Sequence, residues 1–146
     1  MKIYFDHEKL NVYQVSLAFN GWVGEFLPSV EAKAAAKDQL DRAATSIPLN
    51  IAEGNGKFSK RDRARFFDIA RGSALEAAAS LDVLVSRKLA TNTHVSSAKE
   101  QLVQIVNMLV GLLKALGYDF ESRTAIVREE TDFSADSEQE QEQEKE

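Results

Sequence analysis

The chain has 146 residues, of which 44% are hydrophobic and 28% charged, with two prolines, seven glycines and no cysteine. That length supports one domain with a real core but not two ordinary ones, and the lack of cysteine excludes a disulfide framework, a thiolate metal site and a thiol nucleophile. The net charge of −5 conceals an asymmetry: residues 129–146 hold nine acidic residues and one lysine, which leaves 17 basic and 14 acidic residues, a net +3, in the rest of the chain.

The opening MKIYFDHEKL carries Asp6, Glu8 and Lys9 where a signal peptide would need an apolar run. Together with the missing cysteines this predicts a cytoplasmic protein. A first helix is expected over 8–27, where Val12, Val15, Phe19, Trp22 and Phe26 recur at helical spacing and Pro28 follows the end. A second is expected over 31–53, with Leu40, Ala44, Ile47 and Ile51 facing inward. Pro48 lies inside it and removes one backbone donor, so a kink is expected rather than a break.

The stretch NIAEGNGKFSK, residues 50–60, raises the question of a phosphate loop. It does not match the Walker spacing, because Gly56-Lys57 is followed by Phe58 and the position five before Gly56 is Ile51. It does not match G-x-G-x-x-G either, since Ser59 stands where the third glycine belongs. A connector is expected instead, with Gly54 just past the end of helix 2, Asn55-Gly56 at positive φ, and Ser59 capping helix 3 with Asp62 three residues on. Phe58 either staples the start of helix 3 or is free to stack on a base.

In helix 3, Phe67, Ala70, Ala74, Ala77, Leu81 and Leu84 form a seam with spacings alternating between three and four. Gly72 and the alanines around it give a slim face for a close neighbour. Helix 4 should begin after Asn92 or Thr93 as cap, near His94. Its seam is Val95, Ala98, Leu102, Ile105, Leu109, Leu112 and Leu116, with a second stripe at Val103, Val106, Val110 and Leu113. So wide an apolar arc implies either a central helix or contact with another subunit. Gly111 suggests close packing there. The longest uncharged apolar stretch, between Glu100 and Lys114, is too short for the roughly 20 residues that cross a bilayer. Beyond the helices, the Glu/Gln-rich end has too little apolar content to offset its ordering entropy. The expected organisation is therefore a bundle over 1–120 and a disordered acidic tail over 121–146. Four amphipathic helices with short links, and no strand-like alternation, predict an all-α, up-and-down antiparallel four-helix bundle.

The segment RAATSIPLNIAEGNGKFSKRDRARFFDIARGSALEA, residues 42–77, resembles the four-helix-bundle family of the 23S rRNA intervening-sequence proteins and the related accessory proteins of diversity-generating retroelements. The resemblance is most specific in SIPLNIAEGNGKFSK and RFFDIARGS, and by helix pattern it extends over about residues 8–117. It implies a homopentameric ring with a basic surface, associated in the retroelement branch with a reverse transcriptase and structured RNA. Two features depart from the family pattern: Arg63 stands where an aromatic residue is usual, in line with Phe67 and Ala74, and the acidic tail is long.

The candidate site is a basic cluster. Lys57, Lys60, Arg61, Arg63, Arg65 and Arg71 face only Asp62 and Asp68 over residues 57–71, a net +4. Cations in a first helical turn oppose the macrodipole by about 0.3–1 kcal/mol each, so helix stability does not explain them. The resemblance implies a basic residue at 61 and 65. Phosphate contact, subunit contact and a solvated face all remain open for this cluster. No cofactor, metal or small-molecule substrate is expected, and no enzyme. His7 and His94 are far apart and in no metal-ligand pattern; Asp38, Asp41 and Glu53 read as surface charges; Ser46 and Ser73 have no base beside them in sequence. Two functions fit: an oligomeric adaptor for structured RNA or an RNA–protein complex, such as that of a reverse transcriptase, or a protein–protein scaffold without nucleic acid.

Overall fold

The structure is a computed structural model, and it describes residues 2–31 and 35–118. The chain divides into two units, Met1–Leu116 and Gly117–Glu146. The tail expected over 121–146 lies outside the described residues. The first unit contains four helices, α1 (Asn11–Phe26), α2 (Ala35–Gly56), α3 (Lys60–Ser86) and α4 (Asn92–Ala115), with 3-10 turns at Asp6–Lys9 and Leu27–Ser29. α1 packs on α2, α2 on α3, α3 on α4, and α4 back on α1. This is the expected all-α, up-and-down four-helix bundle, and there is no strand among the described residues.

The core follows the apolar periodicity. All six seam residues of α3 are buried, and Leu40, Ala44, Ile47 and Ile51 of α2 are fully so. Each Leu or Ile removed from water in this way contributes about 1.5–3 kcal/mol. In α4 the heptad seam is buried from Val95 to Leu109, but at the next step Leu113 is buried and Leu112 only half-buried. The reason is geometric: a straight helix of 3.6 residues per turn drifts away from a strict seven-residue repeat. α1 shows a similar shift. Ser16 and Val23 are buried, whereas Val15 and Trp22 are half-buried, with Trp22 stacked on Phe26 at 4.5 Å between ring centres.

Of the helix ends, that of α2 and the cap of α4 differ from expectation. α2 does not stop at Glu53 but continues through Gly56, so Gly54 is an interior, buried helix residue. Neither it, Asn55 nor Gly56 has positive φ; among the described residues only Lys88 and Gly117 do. A Cβ on Gly54 would lie 2.9 Å from two ring carbons of Phe67 and 3.0 Å from the Cβ of Phe66. The glycine is there for helix approach, not for a turn. Conversely, a Cβ on Gly72 or Gly111 would meet nothing within 4 Å, so close packing inside the chain explains neither. α4 is capped by Thr91, whose hydroxyl accepts from the His94 N–H at 3.1 Å, rather than by Asn92 or Thr93. α3 closes with Lys88 at φ 61°, Leu89 N–H bonding Leu84 C=O and Lys88 N–H bonding Val85 C=O. That is the usual pairing of a Schellman cap, with a lysine in the place that glycine favours.

Pro48 does not break α2. Lacking an N–H, it cannot satisfy the carbonyl of Ala44 one turn back. Asn20 of α1 does so instead: its side-chain amide donates to the Ala44 C=O at 2.8 Å, and also to the Ser16 C=O at 2.8 Å. The acceptor freed by the proline thus joins two helices.

Candidate nucleic-acid interface

The link between α2 and α3 is three residues, Lys57–Ser59, so the basic segment occupies the end of the bundle where these helices meet. Ser59 caps α3 as expected, its hydroxyl accepting from the Asp62 N–H at 3.1 Å. The Lys57 N–H bonds back to the Gly54 C=O at 3.2 Å. These bonds hold a short loop at both ends.

Six cations were candidates, and the structure sorts them into two groups. Lys57, Lys60, Arg61 and Arg65 are exposed, and none has an ion-pair partner among the described residues. Lys57 and Arg65 meet on one aromatic ring: the ammonium of Lys57 lies 5.0 Å and the guanidinium of Arg65 5.1 Å from the centre of Phe66. Such cation–π contacts position the two charges at little cost to their outward exposure. Phe66 is half-buried rather than a core residue, and nothing in the local sequence pattern marks it as the ring that gathers the cations.

Arg71 and Arg63 stand apart. Arg71 is engaged by Asp68 through Nε at 3.1 Å and a terminal nitrogen at 3.0 Å. Arg63 is half-buried at the end of the α3 seam, and its Nε is buried without a hydrogen-bond partner among the described atoms. Its charge reaches Asp6 in the first 3-10 turn. The Asp6 carboxylate sits below its ordinary pKa chiefly because the Asn55 side chain donates to it at 3.0 Å, with help from the charges of Lys9 and Arg63. Half-buried as it is, Arg63 belongs to the inner end of the seam more than to the free surface.

Phe58 is fully exposed, at 106% of its reference area. The hydrophobic staple is excluded. By contrast, Phe19, Phe26 and Phe67 are at most 2% exposed.

Among the described residues the serines and histidines singled out in the sequence engage one another or aromatic rings. Ser46 and Ser73 hydrogen-bond each other at 2.7 Å, and Asn50 donates to Ser46 at 2.9 Å. His7 stacks on Phe5 and meets Tyr13 edge-on, and His94 meets Phe26 and Trp22 edge-on. Among the described residues no group of three or more His, Asp or Glu is placed to hold a metal, and no helix is long and apolar enough to cross a membrane. Away from the basic end, an apolar groove of about 280 Å³ runs between α3 and α4, bordered by Leu75, Ala78, Leu102, Val103 and Val106.

The fold and the site define an all-α four-helix bundle that carries, at the α2–α3 end, four exposed cations without ion-pair partners among the described residues. The family described as 23S rRNA-intervening sequence protein matches residues 8–111, and the chain belongs to that family. Its fold is similar to that of a solved protein of unknown function from the S23 ribosomal protein family of Bacteroides thetaiotaomicron, with a TM-score of 0.67 and 24% identity over 70% of this chain and 98% of that one. None of the curated proteins compared with the sequence matches it significantly.

Proposed function

We propose that the protein is a non-enzymatic, oligomeric adaptor of the cytoplasm that holds structured RNA, or an RNA–protein complex such as that of a reverse transcriptase, on the basic end of its bundle. The observation that carries this reading is the set of four exposed cations, Lys57, Lys60, Arg61 and Arg65, without counter-ions among the described residues. The name of the family points to an RNA-related role. Phosphates would be the main ligands, and such contacts position an RNA without reading its sequence. The amide-rich start of α3 favours anions as well. Arg71, already paired with Asp68, and Arg63, turned to the seam, would contribute charge to the field more than direct contacts.

Oligomerisation is part of the proposal. Leu75 and Val103 border the groove between α3 and α4 and are 49% and 59% exposed. Covering them with a second copy would remove apolar surface from water, and the family resemblance gives the count of five. Each added copy would bring another cationic end to the same RNA.

The test is fluorescence anisotropy of a labelled structured RNA with the full chain, titrated across salt. Four phosphate contacts give a slope of log affinity against log salt of roughly −3 per engaged copy, since each contributes about 0.7–0.9. Arg61→Glu with Arg65→Glu should reduce that slope by about half and weaken binding, with the oligomer mass unchanged in light scattering. Loss of mass without RNA binding by the parent would instead support the protein–protein scaffold, with the arginines at a subunit boundary.

A further inference from the structure

Among the described residues Phe58 is the most exposed large hydrophobic side chain, and no packing requirement explains it. It is fully exposed, whereas Phe66, eight residues on, is half-covered and carries two cations. An exposed phenyl ring orders water around it for no gain in folding. Its neighbours in the chain are Lys57 before it and, after the capping Ser59, Lys60 and Arg61. The loop that presents it is only three residues long and is pinned by the Lys57 N–H to Gly54 C=O bond on one side and the Ser59 cap on the other. The main chain that carries the ring is thus held at both ends, so little backbone freedom is left to lose on binding.

We infer that Phe58 is a stacking platform for an unpaired base, and that the RNA taken by this end of the bundle presents a single-stranded loop, bulge or end beside the phosphates that Lys57, Lys60, Arg61 and Arg65 hold. This rests on the phosphate-binding reading above and narrows it to a substrate class. The chemistry selects unpaired nucleotides because in an A-form duplex both faces of each base are stacked on neighbours and the major groove is too narrow for a side chain. A base swung out of a loop offers a free face, and aromatic rings accept any of the four bases. Flanking cations then hold the phosphates on either side of that nucleotide. A ring beside backbone-holding cations is the general arrangement of single-strand binding, and here a ring and three cations fall within a five-residue run, 57–61.

The experiment compares the full-length parent with Phe58→Ala and Phe58→Trp on two labelled RNAs: a hairpin with an unpaired loop, and a blunt duplex of equal length, at one ionic strength and then across salt. The expected result is a loss of about tenfold or more in affinity of Phe58→Ala for the hairpin, the size usual for removal of a base-stacking aromatic. The duplex should bind the parent more weakly than the hairpin does and lose less than about twofold on the same substitution, with Phe58→Trp retaining the hairpin. The salt slope of the variants should equal that of the parent, because the phosphate contacts are untouched. Phe58 is fully exposed, so neither variant threatens the fold, and circular dichroism checks this. If the parent binds both RNAs and Phe58→Ala binds them equally well, the stacking inference is overturned while phosphate binding stands. If Phe58→Ala loses oligomer mass in light scattering, the ring is a subunit contact and the inference is again overturned. If the parent binds neither RNA at low salt, the phosphate reading itself is wrong and stacking goes with it.

Discussion

Gly54→Ala should destabilise the protein, although alanine is the better helix former. In an unhindered helix interior the exchange gains about 1 kcal/mol. At Gly54 the added methyl would lie 2.9 Å from Cδ1 and Cε1 of Phe67 and 3.0 Å from Cβ of Phe66. The Phe67 ring is 1% exposed and has no space to retreat into, and the Cβ of Phe66 moves only with the backbone of α3. Overpacking of this kind costs about 1–3 kcal/mol, so α2 and α3 must separate or Phe67 must leave its rotamer. With three contacts at 2.9–3.0 Å the cost belongs in the upper half of that range, about 2–3 kcal/mol, so the net expectation is a loss of roughly 1–2 kcal/mol, read from urea unfolding as a lower midpoint at unchanged m-value. Gly111→Ala is the control, since a methyl there meets nothing within 4 Å and the helical gain should stand alone. A Gly54→Ala protein as stable as the parent would refute the argument that this glycine exists for helix approach. Because Phe66 supports Lys57 and Arg65, the same variant should also weaken RNA binding.

Asn20→Ala leaves the Ala44 carbonyl without a donor, because Pro48 cannot supply one. A loss of about 1–3 kcal/mol is expected in thermal or urea unfolding, and less in a Pro48→Ala background, where residue 48 regains an N–H; equal losses in both backgrounds would break the proposed link. Asp6 gives a pH prediction. Its pKa in the folded chain is lowered from 3.8, first by the hydrogen bond from Asn55 and then by the charge of Lys9. Its stabilising contribution is therefore complete above the unfolded value of 3.8 and is lost as pH falls through the lower folded value. NMR should show the Asn55 side-chain amide shifting in that acid range and no such shift in Asp6→Asn. An Asp6 titration midpoint at or above 3.8 would contradict this.

The sequence by itself determined the helices and their inward faces. Periodic apolar residues must be removed from water whatever their neighbours, so Leu40, Ile47, Ile51, Phe67 and Leu81 are all buried as their spacing requires. Ser59 was legible as a cap for a similar reason: a cap is satisfied by N–H groups two or three residues away. The cationic run over 57–71 was legible as charge. What local pattern could not give was the use of residues whose partners come from another helix. Gly54 carries the signature of a helix stop, and only the approach of Phe66 and Phe67 makes it a helix interior. Asn20 is an unremarkable polar residue until α2 brings Ala44 to it. The equal charges of Arg63, Arg65 and Arg71 part company through burial, a ring and an aspartate. Phe58 could staple or stand free, and the choice was made by the packing of α2 on α3, which fills the end of the core with Phe67 and leaves Phe58 outside. Burial and pairing are properties of chain segments brought together, and they are decided where the helices meet.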